Sequence, residues 1–214
     1  MSSAREEILS RIRKGLGPKV EDRDGEYAAI SRNYIQAGEL DAKARLDLFE
    51  ERLRDYGAGV HRCTESQIAE TVARVLQARE KKSLLIPESL PAEWLPPAPP
   101  DFSREHASSY ELLDHSEGVL TGCVAGIALT GTIILQHSPR DGRRALTLIP
   151  DYHLCVVFVR QVVETVPEGI RALADPAKGP LTTISGPSAT ADIEMTRIQG
   201  VHGPRTLDVI LVEP

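Results

Sequence analysis

Apolar and polar positions alternate along this chain in blocks that predict helices first and buried strands afterwards. Residues 42–56 place apolar side chains at helical spacing, and Gly57 follows them at the position where helices commonly end. An earlier amphipathic stretch opens with Ser3 and Glu6, which form the S-x-x-E pattern of a capping box. We therefore predict that residues 1–57 form a helical appendage.

The remainder, residues 58–214, alternates short apolar runs with polar segments and one helical stripe. Residues 59–63 and 83–87 are typical of strands on either side of a helix, which predicts a parallel pair with a right-handed crossover. The run at 154–159 is apolar throughout, as in strands that are covered on both faces. The pattern predicts an α/β domain with a mixed, mainly parallel sheet flanked by helices.

Four further elements follow from the same pattern. Residues 132–136 and 145–149 are apolar runs joined by a polar loop, and we expect these two runs to pair antiparallel. A buried strand is expected at 207–213, near the end of the chain. A short helix is expected to begin near Ala189, because Ser, Thr and Asp residues there match the composition of a helix start.

Composition narrows the classes of function. The net charge of −6 argues against non-specific binding to nucleic acids, which requires a basic surface. One basic cluster, formed by Arg140, Arg143 and Arg144, is interpreted as a solvated loop. The three cysteines lie far apart without a CxxC pair, which disfavours a zinc or iron–sulfur site built from this chain.

The same features predict the compartment. An odd number of cysteines, together with a charged start that lacks an apolar signal-peptide core, is typical of a protein with reduced thiols. No apolar run approaches the roughly 20 residues that a membrane span requires. We expect a cytoplasmic protein without a membrane span.

The densest polar segment, residues 185–192, follows an apolar run and so lies next to a strand end, where open α/β sheets bind ligands. Gly186 permits close approach of a ligand to the backbone, and Ser188 and Thr190 could add hydroxyl donors. The segment is interpreted either as a cradle for a small anion or as a capped turn, with Asp192 favouring the first turn of a helix.

A second polar segment, residues 200–205, contains the best candidate for proton transfer. His202 titrates near neutral pH when unperturbed, and Arg205 could hold a carboxylate or phosphate through two parallel hydrogen bonds. The alternative is a tight loop whose histidine bonds to the backbone. The residues alone do not assemble a nucleophile, a base and an oxyanion hole.

Two shorter segments are also candidates. The sequence Thr130–Gly131–Thr132 offers two hydroxyls and an approachable backbone, or else forms a bend that enters a strand. Asp151 and His153 could orient each other or a ligand, or else belong to a simple turn.

Together these segments resemble the lactate utilization protein C family, the stand-alone type of LUD domain. The resemblance is carried by ALTGTIIL at 128–135, RRALTLIPDYHLCVV at 143–157 and SGPSATADIEMTRIQGVHGPRTLDVILVE at 185–213. The order and spacing of GPSxTADIE followed by GVHGPR are its most specific part. The similarity extends over residues 60–214.

The resemblance implies a fold like that of ribose-5-phosphate isomerase and the coenzyme A transferases, and a part in the iron–sulfur-dependent oxidation of L-lactate to pyruvate. It implies partner subunits that carry the iron–sulfur clusters, and it leaves the cofactor of this chain unknown. We expect a pocket for a small carboxylate or phosphate, with His202 and Asp192 as catalytic candidates. The expected ligand-binding residues are Thr130, Gly131, Thr132, Gly186, Ser188, Thr190 and Arg205.

One position departs from the family pattern. Relatives often carry an acidic residue directly before the Thr-Gly-Thr sequence, where this chain has Leu129. The alternative function is a stand-alone transferase or isomerase that acts on a phosphorylated or coenzyme A-linked metabolite, and Leu129 counts against the coenzyme A version. A third hypothesis is a scaffold whose helical appendage docks a partner.

Overall fold

The computed structural model describes residues 4–17, 22–106, 109–173, 179–191, 197–199 and 203–214, with the backbone alone described at 23, 189–191 and 197–199. The chain divides into two compact units, residues 1–34 and residues 35–214. The first unit contains helices α1 (Ala4–Leu16) and α2 (Arg23–Ala29). Helix α1 is the first helix that the sequence predicts, although Ser3 of its capping box lies outside the described residues.

The second unit contains the remaining helices and all the strands of the described residues. The helices are α3 (Ala42–Asp55), α4 (Ile68–Ala78), α5 (Tyr110–Asp114) and α6 (Val166–Arg171). The strands are β1 (Gly59–Thr64), β2 (Ser83–Ile86), β3 (Asp101–Arg104), β4 (Val119–Thr121), β5 (Ala125–Ile127), β6 (Thr132–Gln136), β7 (Tyr152–Phe158), β8 (Val162–Val163), β9 (Leu181–Ile184), β10 (Ala189–Ala191), β11 (Arg197–Gln199) and β12 (Thr206–Glu213). Within the described ranges, no helix is long and apolar enough to cross a membrane.

Six of these strands form a parallel sheet in the order β1-β12-β7-β4-β2-β3. Strand β7 is buried along its whole length, because helices cover both faces of the sheet. Helix α4 packs on one face, where Val72 contacts the cluster that contains Val156. Helix α3 packs on the other, where Phe49 belongs to the cluster that contains Val157. The predicted α/β fold with a mainly parallel sheet is confirmed.

Helix α3 is an integral part of the second unit. Oδ1 of Asp41 accepts a hydrogen bond from the backbone N–H of Ala44 at 2.8 Å and so caps the start of the helix. Phe49 and Leu53 are fully buried. The amphipathic pattern of the sequence predicts instead that this helix belongs to an appendage ending at residue 57. An amphipathic stripe has the same pattern whether it covers a partner or the sheet of its own domain, so the pattern could not assign the helix to either.

The other strands form two smaller sheets. In the order β8-β5-β6-β9, strand β6 runs antiparallel to both of its neighbours. Strands β10 and β11 form a separate antiparallel pair. These antiparallel strands, added to the parallel sheet, account for the mixed character that the sequence predicted.

The predicted pairing of β1 with β2 is wrong in one respect. Both strands flank helix α4 and lie in the same parallel sheet, but β12, β7 and β4 separate them. A strand–helix–strand pattern predicts that two strands are parallel, whereas their separation depends on strands that come much later in the chain.

The apolar run at 145–149 is not a strand. Residues Arg144–Thr147 form a 3-10 turn instead, and Leu146 packs in a cluster with Leu113 and Val119. A short apolar run fits a buried turn as well as a buried strand, so its periodicity could not separate the two.

Within the described residues around Ala189, no helix begins. This residue starts strand β10 and lies opposite Gln199 of strand β11. The Ser and Thr residues there match the composition of a helix start, but pairing with a following strand overrides that local preference.

Candidate functional site

A cavity of about 250 Å³ lies where strand β9 ends and where strands β7 and β12 begin. Pockets for drug-sized ligands start at about 300 Å³, so this volume suits a smaller metabolite. Two of the polar segments singled out in the sequence contribute to the wall, through residues 185–188 and 203–204, and the end of strand β9 adds Thr183 and Ile184. The other lining residues are Arg144, Thr147, His153 and Leu207.

The two polar segments meet at this wall. The backbone N–H of Ser188 donates a hydrogen bond to the carbonyl oxygen of Pro204 at 2.8 Å. Gly186 and Ser188, both predicted to bind a ligand, therefore line the cavity. Gly186 has φ +81°, and a Cβ there would lie 2.4 Å from Cβ of Tyr56. The glycine is thus already required by packing against the residue that follows helix α3.

The Thr130–Gly131–Thr132 segment connects to the cavity through one hydroxyl. Oγ1 of Thr132 lies 2.7 Å from Oγ1 of Thr130 and 2.8 Å from Oγ of Ser185, which lines the cavity. Gly131 has φ +58°, and a Cβ there would lie 2.8 Å from Cβ of Arg52. The segment therefore packs against helix α3 and orients Ser185, and its predicted role in ligand binding stays a prediction.

Arg205 points to a carboxylate outside the described wall of the cavity. Its Nε donates to Oδ1 of Asp151 at 2.6 Å, and the two side chains are 60% and 55% exposed. Asp151 thus pairs with Arg205, and the alternative in which Asp151 and His153 orient each other is not seen among the described contacts. The remaining predicted residues are Thr190, described by its backbone alone, and Asp192 and His202, which lie outside the described residues.

Arg144 places a positive charge on the cavity wall. Its Nη1 makes two long contacts with Thr147, to the carbonyl oxygen and to Oγ1, each at 3.4 Å. Among the described residues no carboxylate pairs with it, whereas the neighbouring Arg143 binds Glu105 at 3.0 Å. Burial lowers the pKa of Arg144 from its ordinary value. The interpretation of this cluster as a solvated loop is therefore wrong for Arg144.

His153 lines the same cavity and is almost completely buried. Its Nε2 lies 2.8 Å from Oγ1 of Thr121, on the neighbouring strand β4. Its Nδ1 exposes less than 1 Å² to solvent and has no hydrogen-bond partner among the described residues. Burial, followed by the positive charge of Arg144, lowers the pKa of His153 to about 4. The ring is therefore neutral at physiological pH.

Because His153 is buried and neutral, we expect the free energy of unfolding to decrease in acid. The unfolded chain binds a proton at His153 with a pKa near 6.5, whereas the folded chain binds it only near 4. Between these values the unfolded state binds more protons, so the free energy of unfolding should decrease as the pH falls from 6.5 to 4, by up to about 3 kcal/mol. Urea denaturation across this range measures the decrease. In the His153→Phe variant most of this decrease should be absent. A decrease of the same size in that variant would show that protonation of His153 does not cause it.

The sequence is similar to proteins named for lactate utilization. Residues 46–212 match the LUD domain family. Lactate utilization protein C from Deinococcus radiodurans is 44% identical over 169 residues, which cover 78% of this chain and 79% of the relative. Lactate utilization protein C from Exiguobacterium sp. is 27% identical over 222 residues, which cover 97% of this chain and 95% of the relative.

A solved structure supports the same relationship. The crystal structure of a DUF162 family protein from Deinococcus radiodurans aligns with a TM-score of 0.70 at 38% identity, and it covers 81% of this chain and 99% of that chain. The similarity in sequence and the similarity in structure thus extend over most of the chain and confirm the resemblance found in the sequence. The chain belongs to the LUD domain family.

Proposed function

We propose that this chain is a subunit of a cytosolic, iron–sulfur-dependent system that oxidises L-lactate to pyruvate, and that its cavity binds the small carboxylate. Membership of the LUD domain family and the names of its relatives support a role in lactate utilization. The finer assignment rests on the charge and the size of the cavity.

The charge of Arg144 on the cavity wall is the observation that supports this proposal most strongly. The other described lining residues are neutral at pH 7, so the described wall has a single positive charge. One guanidinium balances one carboxylate, and the planar groups pair through two parallel hydrogen bonds. A phosphate ester carries more negative charge, part of which would stay uncompensated in a partly buried site. The electrostatics therefore favour a monocarboxylate over a phosphorylated ligand.

The redox chemistry is assigned to partner subunits. Oxidation of a 2-hydroxy acid removes two electrons, which a cofactor must accept. The three cysteines of this chain lack the spacing of an iron–sulfur motif, so we place the clusters in the partners. The predicted catalytic roles of Asp192 and His202, and the predicted contact between Arg205 and the acid, stay part of the proposal.

Calorimetric titration with L-lactate tests the cavity. The Arg144→Gln variant should raise the dissociation constant by about 10- to 100-fold, because a hydrogen bond to a charged group contributes about 1.5–3 kcal/mol. Arg140→Gln is the matched control, since Arg140 is an exposed arginine of the same loop that does not line the cavity. Equal affinities of the two variants would contradict the proposal. Binding of phosphate or coenzyme A esters in place of lactate would favour the transferase or isomerase.

An anaerobic pull-down of the tagged full chain from lactate-grown cells tests the partners. Iron–sulfur proteins should be recovered in amounts near equal to that of the chain, because a subunit of a stable complex co-purifies stoichiometrically. Recovery of the chain alone under several mild buffers would contradict the assignment to a redox complex.

A further inference from the structure

The hydrogen bonds around Thr121 support one assignment of the proton on His153. Oγ1 of Thr121 donates to the carbonyl oxygen of Gly122 at 2.9 Å, and a carbonyl oxygen can only accept. With the single hydroxyl proton in that bond, the N–H of the ring is the donor in the contact of 2.8 Å between Oγ1 and Nε2 of His153. In the neutral ring, Nδ1 is then the unprotonated nitrogen and presents a lone pair.

That lone pair is unsatisfied. Nδ1 has no partner among the described residues and exposes less than 1 Å² to solvent, so bulk water does not satisfy it either. An unpaired buried acceptor destabilises the site, and a ligand that donates a hydrogen bond to it removes that penalty. The same group disfavours any ligand that brings only another acceptor.

Arg144 and His153 line one cavity, and the charge of the first lowers the pKa of the second. A ligand that contacts both residues must therefore present a carboxylate and a hydrogen-bond donor. A ligand reaches Nδ1 only if a lining side chain shifts. Among the described residues the guanidinium of Arg144 makes two hydrogen bonds, both long at 3.4 Å and both to Thr147, so these bonds hold it weakly.

We infer that Nδ1 of His153 accepts a hydrogen bond from the hydroxyl of a 2-hydroxy carboxylate whose carboxylate group is bound by Arg144. This inference rests on the proposed function, because it concerns the ligand of the same cavity. It makes His153 the residue that distinguishes a 2-hydroxy acid from the corresponding 2-keto acid. The hydroxyl of the first donates to Nδ1, whereas the keto oxygen of the second can only accept and meets a lone pair.

Thr121 is the positioning residue in this arrangement. By accepting from Nε2–H, its hydroxyl holds His153 in the tautomer that leaves Nδ1 unprotonated. Without this hydroxyl the ring can place its proton on Nδ1, and the preference for a donor is lost. Serine at position 121 keeps the hydroxyl and should keep the preference.

The test compares three ligands of similar size by calorimetric titration of the full chain. L-lactate has a hydroxyl at C2, pyruvate has a keto oxygen there, and propionate has neither. The wild-type chain should bind L-lactate at least about tenfold more tightly than pyruvate or propionate. In the Thr121→Val and His153→Phe variants, the ratio of the dissociation constants for pyruvate and L-lactate should approach one. The Thr121→Ser variant should retain the wild-type ratio. Circular dichroism checks that each variant is folded.

The outcomes separate this inference from the proposed function. Equal affinities of the wild-type chain for L-lactate and pyruvate, both weakened by Arg144→Gln, would overturn the role of His153 and leave the carboxylate site intact. No binding of any of the three acids would overturn both. A wild-type ratio retained in a folded Thr121→Val chain would overturn the positioning role, because a merely structural Thr121 affects stability and not the ratio.

Discussion

Replacement of Asp208 by alanine is expected to lower the free energy of unfolding by about 3–5 kcal/mol, because it breaks a buried ion pair from one side. Asp208 is fully buried on strand β12 and accepts from Nε and Nη2 of Arg79 at 2.7 and 2.9 Å. The hydroxyl of Tyr152 donates to the same carboxylate at 3.0 Å. The lower end of the range is expected, since Arg79 is 42% exposed and can be hydrated after the change. Urea denaturation measures the effect.

Asp151→Ala is the matched control for this prediction. Asp151 also pairs with an arginine, Arg205 at 2.6 Å, but both side chains are more than half exposed. Exposed ion pairs contribute about 0–1 kcal/mol, so this variant should remain close to the wild type in stability. If the variants at 208 and 151 lost equally little stability, burial would not determine the strength of the Asp208 network.

The same network predicts a loss of stability in acid. Burial alone raises the pKa of Asp208, but hydrogen bonds from His61, Arg79 and Tyr152 outweigh it and hold the pKa well below its usual range. A carboxylate whose pKa is lower in the folded state stabilises the fold above about pH 4, and this contribution is lost as the pH falls further. The Asp208→Asn variant should therefore lose less stability below pH 4 than the wild type.

The Phe49→Ala variant is expected to lose about 3–5 kcal/mol of stability, the range for removal of a buried aromatic side chain. Phe49 of helix α3 is 0% exposed, and a Cβ added at Gly126 of strand β5 would lie 2.8 Å from its Cζ. The ring therefore fills a site with no spare room, and its loss leaves a cavity between helix and sheet. Urea denaturation of the full-length variant measures the effect.

Glu51→Ala on the same helix is the control, because Glu51 is exposed and its replacement should change stability by less than about 0.5 kcal/mol. A chain that begins at residue 58 lacks the helix altogether and should lose at least as much stability as Phe49→Ala. If that shortened chain were as stable as the full one, helix α3 would belong to an appendage, as the sequence pattern had suggested.

The sequence predicted the parts of the fold that depend on periodicity. The strands around 59–63, 83–87 and 154–159 and the helix at 42–56 were all expected near their observed positions. The order of the strands could not be predicted, because β12 inserts between β1 and β7 from the far end of the chain. The pattern within β1 contains no information about that pairing.

The site was predicted in part. Gly186 and Ser188, which line the cavity, were predicted because the composition of a polar segment after a strand end indicates a binding site. Arg144 was interpreted as part of a solvated basic loop, because the sequence does not show that the turn at Arg144–Thr147 places this residue in the cavity wall. His153 was named as a candidate, but its contact with Thr121 could not be predicted, because Thr121 lies on another strand and the sequence around His153 does not indicate the pairing.

The most direct test of the carboxylate site is a crystal structure of the full chain grown with L-lactate. The predicted result is lactate in the cavity between β9 and the start of β7, with its carboxylate on the guanidinium of Arg144 and its hydroxyl on Nδ1 of His153. Lactate bound elsewhere, or a cavity that holds only solvent at saturating lactate, would contradict the account.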